Sequence, residues 1–195
     1  MGMAGGGPAK SISIAKAELV GNFLVVWDVE QARSLFALGF YGKPLGIPKP
    51  RGPDFNAPLI LDLMEGLYLL EKGLIEIYER PGERLVSSEE LRELARGIYD
   101  DFDAKYAVYK DLRDAGLVVT SGIKFGCDFA VYRLGPGLEH APYLISVKGP
   151  GDEITATEIV RAGRLATTVR KRFVLAVVDP DRGEIRYLMF RWFRA

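Results

Sequence analysis

Cysteine and histidine are nearly missing from this chain of 195 residues, which carries one of each. A single cysteine forms neither an internal disulfide framework nor a cysteine-rich zinc site, so nothing in it points to an oxidising compartment. A single histidine excludes, within one chain, every site that needs two or three imidazoles, such as a three-histidine zinc centre or an HExxH helix. Excess charge is missing as well. With 26 basic against 26 acidic residues, bulk charge alone does not hold a polyanion, although a local basic face remains open. No apolar run approaches the roughly 18 to 20 residues of a membrane span, and the opening MGMAGGGPAK lacks the charged and apolar regions of a signal peptide. The expectation is a cytoplasmic protein without a membrane partner. Side-chain amides are confined to Asn22, Gln31 and Asn56, and such depletion beside plentiful charge points to a heat-adapted source.

What is present describes a folded chain. A content of 48% hydrophobic and 27% charged residues fits one large domain or two small ones. NFLVVWD reads as a short buried strand centred on Val25 and Val26, and EQARSLFALGFYG places Ala32, Leu35, Phe36 and Phe40 at helical spacing. KPLGIPKPRGPDFNAP carries five prolines and two glycines and is a loop, of a length more often functional than merely connecting. LILDLMEGLYLLEKG then spaces Leu59, Leu61, Leu63, Leu67 and Leu70 as a helix, followed by strands in LIEIYER and PGERLV. Ser87 with Glu90 forms a capping-box pattern opening a long helical run that Gly116 closes. LVVTSG, KFGCDFAVYR, YLISVKG, FVLAVVD and EIRYLMFRWF read as strands, with a helix over 153–172 among them. The fold class expected is α/β. A small mixed N-terminal α+β domain over 1–95, with an extended basic loop at about 41–57, precedes a domain over 96–195 whose central mixed sheet is flanked by helices.

Charge is unevenly spread. Residues 161–195 hold nine basic side chains against Asp179, Asp181 and Glu184, a local electropositive stretch that favours a phosphate-bearing partner. A solvated helix face and an arginine-rich edge strand that resists aggregation account for the same count.

The lone histidine, His140, sits in RLGPGLEHAPYL, a Gly-Pro loop between two strands. A lone histidine is commonly a bystander, but its surroundings are informative. Tyr132 ends the preceding strand eight residues earlier, and Lys171 follows 31 residues later in VRKR. Converging at one end of a sheet, these three side chains make an acid–base set that needs no metal.

The run YAVYKDLRDAGLVVTSGIKFGCDFAVYR, then EHAPYLISV and RLATTVRKRFVLAVVD, closely resembles the catalytic domain of archaeal tRNA-splicing endonucleases, from about Tyr106 to the C-terminus. More loosely, LMEGLYLLEKGLIEI resembles that family's N-terminal domain. The resemblance implies an endonuclease domain over 96–195 with a catalytic triad of Tyr132, His140 and Lys171. In such enzymes the 2'-hydroxyl attacks its own phosphate at bulge-helix-bulge sites of precursor tRNA. The products are a 2',3'-cyclic phosphate and a 5'-hydroxyl, formed without cofactor or metal. Tyr132 would take the 2'-hydroxyl proton, a role that needs neighbouring positive charge because a phenol ordinarily titrates near 10. Lys171 would supply that charge and stabilise the phosphorane. His140 would protonate the leaving oxygen.

The resemblance also places Arg164 and Arg186 as the pair that sandwiches a flipped-out base, since a guanidinium plane stacks on any base. A solvated helix face and an outward strand residue are the plainer readings. The proline-rich loop, with Lys43, Lys49 and Arg51, resembles an additional RNA-contacting loop of one archaeal branch, with Lys43 the foremost candidate. The family builds its enzymes from four units, so a chain of this size implies a structural partner subunit in a heterotetramer, or a homotetramer.

Two rivals stand beside this. A metal-dependent nuclease would use Asp128 and Lys148, but the residue two before the lysine is Ser146, so the second carboxylate for Mg2+ is missing. Asp128 then supports the strand end, and Cys127 is a small core residue. The other rival is a non-catalytic RNA-binding or assembly subunit of the same enzyme.

Overall fold

The computed structural model describes residues 14–81, 83–149 and 151–190. The glycine-rich leader, Ser11, Arg191 and Arg194 lie outside the described residues. Strands β1 (Ala15–Val20) and β2 (Phe23–Val26) form a hairpin turning on Gly21, whose φ of 60° suits glycine. With β3 (Lys43–Pro44), β4 (Leu59–Leu61), β5 (Ile75–Glu79) and β6 (Arg84–Leu85) they make a sheet in the order β3-β4-β2-β1-β5-β6, in which only β1 and β5 run parallel. Helices α1 (Val29–Gly39) and α2 (Leu63–Glu71) bury Leu35, Phe36, Leu67 and Leu69 in the same core as Leu24, Val26, Leu59 and Leu61. Each such side chain is worth about 1.5–3 kcal/mol when fully buried. The packing is close: a Cβ on Gly66 of α2 would lie 1.9 Å from Leu24.

The leucine spacing predicts a helix from Leu59, whereas the structure starts it at Leu63. Asp62 accepts from the Glu65 N–H at 2.8 Å and Glu65 accepts from the Asp62 N–H at 3.2 Å. This reciprocal cap fixes where the helix begins, and Leu59 and Leu61, two apart, then face one side of a strand. The long helix expected after Ser87 is also two. The Ser87–Glu90 capping box forms as read, opening α3 (Ser88–Arg96). The chain turns at Gly97 and at Asp101, whose φ is 53°, before α4 (Phe102–Asp114). Arg92 and Arg96 pair with Asp103 at 3.0 and 2.7 Å and clamp the corner.

The second sheet has β7 (Val118–Ser121), β8 (Phe129–Tyr132), β9 (Tyr143–Lys148), β10 (Arg172–Asp179) and β11 (Glu184–Phe190), in the order β11-β10-β9-β8-β7. β9 and β10 are parallel and joined by α5 (Ala156–Thr168), and the other pairs are antiparallel. Lys124 and Phe125, read as the start of a strand, lie with Ile123 in a 3-10 turn closed by Gly126 at φ 67°. α5 is shorter than the expected 153–172. Thr155 and Glu158 cap its start reciprocally, at 3.2 and 2.7 Å, and Arg170 at φ 55° turns the chain out of it.

Alternation gives the second sheet two apolar faces. Phe129, Val131, Ile145, Val174 and Ala176 join Tyr106 and Tyr109 of α4 in one core continuous with that of the first sheet. On the other face, Ala130, Leu144 and Phe173 meet Ala141 and Ala166 in a smaller cluster, with Tyr132, Phe125 and Phe190 packed at its margin. Mixed sheets flanked by helices, in an N-terminal and a C-terminal part, are the architecture expected. Among the described residues no helix is long and apolar enough to cross a membrane.

Candidate active site

The smaller cluster organises the candidate site. Tyr132 closes β8 on the same sheet face as Ala130, half-buried against the cluster. The loop after it turns at Gly135, with φ 124°. Glu139 clips it internally, its carboxylate accepting from the backbone N–H groups of Arg133 and, at 2.6 Å, Leu134. These amide donors, Leu134's foremost, hold the carboxyl below the usual carboxylate range. His140 follows, exposed to solvent, and Ala141 is drawn into the cluster at 3% exposure.

Lys171, expected inside a helix over 153–172, lies beyond the end of α5. Its N–H donates to the Ala166 carbonyl at 2.7 Å. Its Nζ donates to the Ala141 carbonyl at 2.8 Å and sits 5.3 Å from the Phe125 ring centroid. Lys171 is thus tied to the residue next to His140, on the cluster that also takes Tyr132. Partial burial, and then the charge of Lys124, hold its ammonium below the ordinary lysine range.

Arg164 is exposed on α5, where it and Arg161 border a shallow depression over Ala156, Thr157 and Val160. Arg186 stands opposite Val177 in the β10–β11 register, so it shares the sheet face of Phe173 and Phe190, the face of Tyr132. It pairs with Glu184 at 3.0 Å, both exposed. Lys43 is exposed in β3, opposite Ile60. The proline-rich segment is fastened down: Phe55 is buried edge-on against Phe36 at 5.4 Å, and Arg33 Nε donates to the Phe55 carbonyl at 2.7 Å. Its tip reaches the histidine loop, since the Pro50 carbonyl lies 4.0 Å from where a Cβ on Gly137 would stand. The Phe40 ring fills the space a Cβ on Gly135 would occupy, 2.4 Å away. Exposed Lys49 and Arg51 flank that tip, whereas Lys43 sits at the base of the segment.

Asp128 accepts from the Val147 N–H at 2.8 Å and pairs with Lys105 at 3.2 Å, supporting the strand end as read. Cys127 packs at the margin of the smaller cluster, and burial pushes its thiol up to about 11. Two further residues carry no sequence signal. Glu139 works through its loop, and Arg113, a helical arginine by pattern, is 6% exposed. Its guanidinium donates to Tyr109 Oη, the Gly39 carbonyl and the Val119 carbonyl at 3.0, 2.7 and 3.0 Å, and lies 4.3 Å from the Tyr41 ring centroid.

Residues 102–187 match the tRNA intron endonuclease catalytic C-terminal domain, and residues 15–92 match the tRNA intron endonuclease N-terminal domain. A tRNA-splicing endonuclease of Hyperthermus butylicus is 56% identical over 177 residues, covering 91% of this chain and 97% of that protein. Those of Saccharolobus islandicus and Saccharolobus solfataricus are 47% and 46% identical over 180 residues, covering 92% of this chain and 98% of each relative. The chain belongs to the tRNA intron endonuclease family, whose members are endonucleases of tRNA intron excision.

Proposed function

We propose that this chain is a catalytic subunit that cuts precursor tRNA at bulge-helix-bulge sites by metal-independent transfer of the phosphate to the neighbouring 2'-oxygen. Tyr132 takes the proton of the 2'-hydroxyl, whose oxygen attacks the adjacent phosphorus. Lys171 stabilises the charge that gathers on the phosphorane oxygens, where a fixed cation is worth most. His140 gives a proton to the departing 5'-oxygen, and the P–O5' bond breaks. One strand then ends in a 2',3'-cyclic phosphate and the other begins with a 5'-hydroxyl, so no water is consumed. The observation that carries this reading is the bond from Lys171 Nζ to the carbonyl next to His140, on the cluster that packs Tyr132.

Arg164 and Arg186 hold a flipped base on the α5 side of the sheet, and the 41–57 loop, with Lys43 at its base, adds RNA contacts beside the histidine loop. The active species is an assembly of four units, with a structural partner subunit or with further copies of this chain. The edge strand β11 supports this, with Leu188 and Met189 51% and 45% exposed.

Cleavage of an intron-bearing precursor tRNA tests the reading. His140→Ala is expected to slow cleavage by about 10²- to 10⁴-fold, the usual worth of a general acid. The wild-type rate should persist in excess EDTA, with 3' ends resistant to phosphatase until the cyclic phosphate is opened. Unchanged cleavage by His140→Ala removes the triad assignment. Sedimentation and activity of the chain alone decide between four copies and a required partner.

A further inference from the structure

The turn Ile123–Phe125 places a second lysine at the candidate site. Lys124 Nζ lies 4.9 Å from the centroid of the Phe125 ring, the ring on which Lys171 Nζ rests at 5.3 Å. Among the described residues neither ammonium has a carboxylate within ion-pair distance, whereas four of the six other buried or half-buried lysines and arginines, Arg33, Arg92, Lys105 and Lys110, have one. The turn is rigidly made. The Phe125 N–H donates to the Gly122 carbonyl at 2.8 Å and the Gly126 N–H to the Ile123 carbonyl at 2.9 Å. Gly122 is pressed so closely on Cys127 that a Cβ would meet its sulfur at 2.6 Å. Lys124 is therefore held near Lys171 by a fixed backbone, its head in solvent.

Two like charges resting against one aromatic ring repel, and Lys171 registers that repulsion, second to its burial. An anion bound between or beside them relieves it, and RNA supplies such anions at every nucleotide. We propose that Lys124 is a second phosphate-binding ammonium of this site, seated beside Lys171 on the Phe125 ring and contacting the RNA backbone next to the cleaved bond. The proposal rests on the assignment of Lys171 to the cleavage site. Lys124 positions the strand electrostatically and takes no part in proton transfer. Its loss therefore acts on binding and salt dependence, and spares the proton-transfer groups.

The experiment uses the active assembly and an intron-bearing precursor tRNA made uncleavable by 2'-deoxy substitution at the splice sites, with affinity measured across a salt series. Lys124→Ala is expected to bind about tenfold more weakly at ~0.1 M salt and to lower the slope of log affinity against log salt by about 0.7–0.9, the worth of one phosphate contact. Lys124→Arg, which keeps the charge, should restore both. Wild-type affinity and slope in Lys124→Ala, alongside lost cleavage in Lys171→Ala, overturn the proposal and leave the site assignment standing. A defect that Lys124→Arg does not restore also overturns it, because damage to the turn rather than lost charge is then the cause. Normal cleavage by Lys171→Ala removes the site assignment itself, and this proposal with it.

Discussion

At Lys171 a cation is held where its surroundings disfavour its charge. Burial first, and Lys124 second, lower its pKa in the folded chain, so its proton is lost at a lower pH than from a free lysine. Cleavage that needs the ammonium should therefore fall on the alkaline side below the ordinary lysine range. In Lys124→Ala that limb should move to higher pH, a shift read from kcat against pH. Glu139 makes a separate prediction. Its carboxylate accepts from the backbone N–H groups of Arg133 and Leu134 and so clips the loop that presents His140. Glu139→Ala should lower kcat by about 10- to 100-fold through misplacement of the acid. The pH profile should keep its shape, and Glu139→Gln, which retains an acceptor, should recover part of the rate.

Element ends decide most of the local structure, and they are governed by single polar residues. The Asp62–Glu65 cap of α2 is made by two carboxylates drawn out of solvent beside each other. Burial first, and Asp62 second, push Glu65 up to about 7. The folded chain then keeps a proton that the unfolded chain releases above its ordinary carboxylate pKa. Stability from this group is thus fully present at low pH and declines as pH rises from about 4.5 through about 7. Glu65→Gln should flatten that decline, measured as melting temperature against pH. The histidine loop makes the steric counterpart. Gly135 has φ 124° and a phenyl ring where a Cβ would stand, so Gly135→Ala should cost about 1–3 kcal/mol of strain. Cleavage should fall with it, and Phe40→Ala in the same chain should relieve the clash while leaving the backbone strain.

Across the whole molecule the two sheets share one core, and Arg113 ties them where α1 ends and β7 begins. Arg113→Ala removes a donor from the buried Val119 carbonyl and the half-buried Gly39 carbonyl, at about 1–3 kcal/mol for a buried group left unsatisfied. About 3 kcal/mol should lower the melting temperature by roughly 6–12 °C for a chain of this size, with the splice-site residues untouched. Much of this architecture was legible beforehand, because strand alternation and helical spacing are local properties that side-chain burial enforces. The five strands of the second sheet and the Ser87–Glu90 cap belong here. Where spacing misled, at Leu59 and at Gly97, a polar cap or a left-handed residue overrode periodicity. The sequence by itself determined which side chains were available for chemistry. One histidine in a Gly-Pro loop, a tyrosine ending a strand and a lysine before the next one leave acid–base work and little else. Tertiary structure alone decided how they are held. That Lys171 bonds the carbonyl beside His140, that Phe40 fills the hollow at Gly135, and that Lys124 shares a ring with Lys171 are contacts made by packing, and spacing along the chain does not encode them.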